Sequence, residues 1–223
     1  MKKKGQGGGG DRYIETDTIE KKKELLPRKL LNEFSWAKII RKRLLLEHQI
    51  YFPEELVYED NYWHVLLHIY ADRIYRTEKR LYHYFMRSSS TVHARNDQHH
   101  LDRITVQLLK WKEYEKRGFL QTFHGELEYD FLLYAVYFIK TLVFRYDQPS
   151  FSHYRLQQEI VRQKISADVM EMYKNAFSGI NGICFDALYH SLDQTGFQEF
   201  VDQARIYMEN EVKKRQEERD VRE

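Results

Sequence analysis

From Phe131 to Phe144 the chain is apolar around its whole circumference, with Lys140 the one charge inside the run. Only a helix surrounded by other helices can hide such a segment, so the second half of the chain is expected to build a bundle around it. At about 14 residues the run falls short of the roughly 20 that span a bilayer. Contact with a membrane surface is the second reading of this helix, and no transmembrane segment is expected. The neighbouring sequence supplies the rest of the bundle. Leu101, Ile104, Leu108 and Trp111 share one face of a helix expected over 97–116, with Asn96 or Asp97 as its N-cap. Further helices are expected over 126–145, 152–176 and 194–220, the last burying Phe197, Phe200, Val201 and Tyr207. Residues 177–192 read as a looser, glycine-containing segment, and the charged run from Lys213 onward as a solvated helix end.

Composition narrows the function classes. A formal charge of +2 leaves no bulk electrostatic attraction for nucleic acid, and the basic stretch Lys38 to Arg43 is balanced by nearby acids. The single cysteine, Cys184, excludes an internal disulfide and suits a reducing compartment. Its apolar setting favours a small buried residue over a nucleophile. His64 and His68 stand four apart on a helix, a spacing that can bind zinc, but no third ligand is evident and no metal site is assigned. The leader Met1 to Gly10 has glycines without the Lys-Ser or Lys-Thr of a phosphate loop, and lysines without the apolar stretch of a signal peptide.

The first half is organised differently. Phe52-Pro53-Glu54-Glu55-Leu56-Val57-Tyr58 leads into two adjacent carboxylates, Glu59 and Asp60, at the start of a helix expected over 61–70. Such a pair complements the helix dipole and caps free amides. It can equally hold a general base on a rigid element. Upstream, Trp36 to Leu45 reads as a basic helix; downstream, strands are expected at 73–76 and 81–87.

Three blocks in this region carry a resemblance: Ala37-Lys38 through Leu45, Ile50 through the Tyr58-Glu59-Asp60 triplet, and Leu81 through Arg87 to Ser90. In order and spacing, residues 34–93 resemble the distal part of the catalytic domain of family 2 glycosyltransferases, which have the GT-A nucleotide-diphospho-sugar transferase fold. The resemblance covers about a quarter of the chain. It implies an α/β fold, here mainly helical: a partial GT-A domain followed by an α-helical region. It also implies that Asp60 is the general base that deprotonates an acceptor hydroxyl during an inverting displacement, with Glu59 beside it. Lys38, Arg87, Ser90 and His93 become candidates for the leaving diphosphate and substrates. Their ordinary readings stay open: a solvated lysine, a strand-end charge and a turn cap.

The family's nucleotide-binding half and its acidic metal motif have no counterpart here. Glu15-Thr16-Asp17 is the nearest match, in polar sequence with no apolar strand before it. The expected organisation is a flexible, charged leader over 1–33, the distal GT-A part over 34–95 and a helical region over 96–223. The expected reaction is hexosyl transfer from a nucleotide-sugar donor to a glycan or lipid-linked acceptor. The family implies a divalent cation, Mn or Mg, whose motif this chain lacks, and a partner chain carrying the donor-binding half, without which the chain is inactive. The expected place is the cytoplasm, at the inner face of the membrane. The alternative is a non-catalytic interaction module derived from the same fold. A truncated or split gene, an internal start site, or a chain that pairs with a separate partner would each account for the missing half.

Overall fold

The computed structural model describes residues 12–28, 31, 33–85 and 94–220. These fold as a mainly helical chain with one two-stranded sheet, divided into two compact units. The first comprises the described residues of 12–54 and 59–85, and the second comprises 55–58 with 94–220.

The second unit is built around α5 (Leu120–Arg145), which contains the apolar run. Phe131, Leu132, Ala135, Val136, Phe138, Ile139, Leu142 and Val143 are wholly buried along it. Around α5 lie α4 (Asp102–Lys116), α6 (Phe151–Lys164), α7 (Ala167–Met172), α8 (Gly179–Tyr189) and α9 (Gln194–Asp220). No helix among the described residues is long and apolar enough to cross a membrane.

Local chemistry explains the helix ends. Asp97 caps a short 3₁₀ turn, Gln98–Leu101, by accepting from the His99 amide. That turn runs into α4. At the far end Gly118 takes φ +69°, its amide donates to the Glu115 carbonyl, and the Phe119 amide donates to the Tyr114 carbonyl. This left-handed glycine with paired 6→1 and 5→2 bonds is a Schellman closure, and it turns the chain from α4 into α5. The helix expected over 152–176 is two helices, because Ser166 is an N-cap: its hydroxyl accepts from the Val169 amide. The buried Glu128 carboxylate accepts from the Ser166 amide at 2.7 Å and holds that break in place. The segment expected to be loose, 177–192, is largely the helix α8, with Phe185 and Leu188 in the core. Cys184 is buried there, and burial pushes its thiol up to about 12, which keeps it protonated.

In the first unit the core is α3 (Asp60–Tyr70), in which every residue from Trp63 to Ile69 is buried. Two strands, β1 (Arg12–Glu15) and β2 (Arg73–Arg76), pair antiparallel with Ile14 opposite Ile74. The Thr16 amide donates to the Asp72 carbonyl and extends the pairing. Residues 12–28, within the stretch expected to be a leader, therefore hold β1 and α1 (Ile19–Leu25), capped by Thr18. Residues 81–85 form no strand: all are exposed, while β2 is paired with β1. The expected basic helix is also displaced. A 3₁₀ turn occupies Ser35–Ala37, the backbone is extended at Lys38 and at Arg41, and α2 begins only at Lys42 and ends at Glu47. The β-branched pair Ile39-Ile40 disfavours helix at that point.

Candidate active site

Asp60 is the first residue of α3, and Glu59 precedes it as N-cap in a helical conformation. The side chain of Glu59 makes no capping hydrogen bond. Both carboxylates are half-buried. Glu59 therefore sits at a helix start without performing the local capping that would otherwise account for it.

The approach to this pair is conformationally strained. Glu55 and Tyr58 take φ of +58° and +68°, the left-handed region, at a cost on the order of 1–3 kcal/mol each. Contacts within the second unit offset that cost. The Val57 amide donates to the Asp102 carboxylate at 3.0 Å. The buried Tyr58 hydroxyl lies 2.6 Å from Nδ1 of His100, and the Arg103 guanidinium stacks 3.7 Å over its ring. Since Nε2 of His100 lies 2.8 Å from the Ala94 carbonyl, which can only accept, Nε2 carries the proton and Nδ1 accepts from Tyr58.

Lys38 belongs to the same unit as the carboxylates. Its Nζ donates to the Phe34 carbonyl at 2.6 Å. Burial pulls its ammonium down from 10.5 to about 8, opposed by the negative charges of Glu33 and Asp60. Removing the Asp60 charge removes one of the influences holding Lys38 protonated, so Asp60→Asn is expected to lower the Lys38 midpoint below about 8. Carbon-13 methylation of the lysines followed by NMR titration measures it. A midpoint that Asp60→Asn leaves unchanged would show that the two groups do not sense each other.

Four aromatic side chains meet at Trp36, in the turn that precedes Lys38, none of them evident as site residues from local sequence. The Trp36 ring lies 5.3 Å from Phe34 and 5.0 Å from each of Tyr82 and Tyr84, with interplanar angles of 22–30°. All four remain at least 41% exposed. Their only signal in the sequence is aromatic density in two segments whose meeting is a tertiary event.

Arg87, Ser90 and His93 lie outside the described residues. His64 and His68 are both buried on α3, and burial lowers the imidazole of His68 to about 4, so it is neutral at neutral pH. Nδ1 of His64 lies 3.1 Å from the Asn61 carbonyl. Among the described residues no group of three or more His, Cys, Asp or Glu side chains is placed to hold a metal ion. A strand, β1, does precede Glu15-Thr16-Asp17, but the two carboxylates already share a cation: Lys21 Nζ lies 3.4 Å from Glu15 and 2.7 Å from Asp17. The hydrogen bond from Lys21 holds Asp17 below its ordinary value. These residues do not fit a divalent ion. No protein-family model, no curated protein and no solved structure matches this chain.

Proposed function

We propose that this chain carries the acceptor side and catalytic base of an inverting sugar transfer of the family 2 glycosyltransferase type, on a partial GT-A fold. The observation that supports this reading best is the half-buried carboxylate of Asp60 at the head of a buried helix. In the reaction the acceptor hydroxyl loses its proton to Asp60 as its oxygen forms the bond to the anomeric carbon. The bond from that carbon to the nucleotide diphosphate breaks, and the diphosphate leaves with the electron pair. Lys38 supplies positive charge in the same unit. The donor is a nucleotide-diphosphate sugar and the acceptor a glycan or lipid-linked glycan, a chemistry placed in the cytoplasm at the inner membrane face. The family's divalent cation is not routed through any residue described above.

The second reading is a non-catalytic interaction module, and one observation favours it. Among the described residues, Leu156, Met172, Ile206 and Val212 are the large hydrophobic side chains exposed in the helical unit. All the others, from Tyr13 to Phe85, lie in the smaller first unit. Such a surface suits association with another protein. In the enzymatic reading the associating protein is the donor-binding half, so a partner chain belongs to both.

The two are separated by calorimetric titration of the purified chain with UDP- and GDP-sugars in the presence of Mn²⁺. No binding is expected from the chain alone, and binding restored by a co-purified partner supports the enzymatic reading. Tight binding by the chain alone would show that it contains a donor site, contrary to the reading proposed.

A further inference from the structure

We infer that residues 38–46 dock the first unit on an anionic lipid surface, with Ile39 entering the acyl-chain boundary and Arg41, Lys42 and Arg43 meeting headgroup phosphates. Such docking is independent of the sugar-transfer reading and holds whether or not the chain carries out that reaction.

Among the described residues Ile39 is the most exposed large hydrophobic side chain, at 99%, whereas Ile50 and Ile69 of the same unit are 2% and 6% exposed. An isoleucine left in water forgoes the free energy that its transfer to hydrocarbon would release. Three cations stand directly beside it. Arg41, Lys42 and Arg43 are all exposed, and Arg41 and Lys42 form no ion pair among the described residues. Arg43 reaches Glu47 at 2.6 Å, yet its side chain stays 77% exposed. Leu46, also exposed, lies one turn along α2 from Lys42, so the two share a helix face. The hydrogen bond from Lys38 to the Phe34 carbonyl ties the start of the segment to the preceding turn.

Charge on the larger scale points the same way. The net charge of +2 conceals a division: residues 1–54 and 59–87 carry 18 Lys and Arg against 12 Asp and Glu, and the remainder carries 18 against 22. A bilayer containing anionic lipid is negative over its whole extent, so it attracts the net charge of the first unit as well as the three cations beside Ile39. The aliphatic side chains choose between polyanions. Acyl chains accept isoleucine and leucine, whereas single-stranded nucleic acid stacks its bases on aromatic rings and a duplex offers mainly phosphates and base edges.

Co-sedimentation of the full chain with vesicles tests the docking. Vesicles of phosphatidylcholine with about one-third phosphatidylglycerol are expected to carry the chain down, and vesicles of phosphatidylcholine alone are not. Arg41→Ala/Lys42→Ala is expected to weaken partitioning about 25-fold, about fivefold for each cation, and the difference shrinks as salt rises. Ile39→Ser is expected to weaken it about tenfold at every salt concentration where binding is measured. Ile39→Cys locates the contact: Cys184 is buried with its thiol protonated, so a polarity-sensitive maleimide dye labels position 39. Dye emission is expected to shift to the blue on anionic vesicles. Because the substituted side chains are exposed, the variants are expected to melt as the parent does, which circular dichroism checks.

Absence of binding to anionic vesicles overturns the docking. So does binding that Arg41→Ala/Lys42→Ala and Ile39→Ser leave unchanged, or a chain that binds heparin or single-stranded DNA but no lipid. A dye at position 39 that stays in water while the chain sediments with vesicles also overturns it, because another surface then makes the contact. The vesicles contain no sugar, so these failures leave Asp60 as base untouched, and transfer retained in Asp60→Asn leaves the docking standing.

Discussion

Lys110→Ala is expected to cost about 3–5 kcal/mol of stability, the largest loss predicted for a single side chain of this protein. Lys110 is 1% exposed in the helical unit, and its Nζ lies 2.6 Å from the Asp130 carboxylate, itself only 10% exposed. The Tyr114 hydroxyl donates to the same carboxylate at 3.1 Å, and the ammonium lies 3.7 Å from the centre of the Tyr134 ring. Next to this group Gln107 donates to the Phe131 carbonyl, and Gln157 donates to Gln107. α4 and α5 are thus joined through their centres by charge as well as by apolar packing. Removing the cation leaves a carboxylate in the core without the counter-charge 2.6 Å away, and that imbalance accounts for the size of the loss. Replacing both partners, as in Lys110→Met/Asp130→Leu, is expected to recover most of it, since neither half of the pair is then left as an uncompensated charge. Urea denaturation at constant m value measures both variants. A single-variant loss below about 1 kcal/mol would place the pair in water-like surroundings.

Under the proposed reaction, Asp60→Asn is expected to lower sugar transfer about 10²- to 10⁴-fold in a complex with a chain that supplies the donor-binding half, with donor affinity nearly unchanged. Asparagine keeps the size and the hydrogen-bonding oxygen of the side chain at the head of α3, but not its proton affinity. The change therefore falls on proton removal and spares the helix. Single-turnover kinetics separates the steps. If transfer and donor binding fall together, Asp60 supports the local structure and is not the base. Glu59→Gln is expected to have a smaller effect, because the proton transfer is assigned to its neighbour. Both results bear on a site that includes Lys38, whose titration in Asp60→Asn provides a check independent of any substrate.

What was legible in advance differs between the two units for a physical reason. The apolar circumference of 131–144 required enclosure, and the enclosing helices follow from apolar spacing within 15 or so residues. α3 was legible in the same way, and so was the four-residue strand Arg73–Arg76. The division of 152–176 was not, because Ser166 as a helix start depends on Glu128, distant in sequence, accepting its amide. The pairing of β1 with β2 was equally hidden. A four-residue strand such as Arg12–Glu15 has no pattern that distinguishes it from polar linker, and its partner lies beyond α3.

The candidate site divides along the same line. The order of residues alone determined that two carboxylates stand at the head of an apolar helix, since capping preference and helical periodicity operate over neighbouring turns. Tertiary structure decided that Trp36 meets Tyr82 and Tyr84. That outcome depends on contacts between segments more than forty residues apart, whose favourable energy appears only once the chain has closed the loop between them.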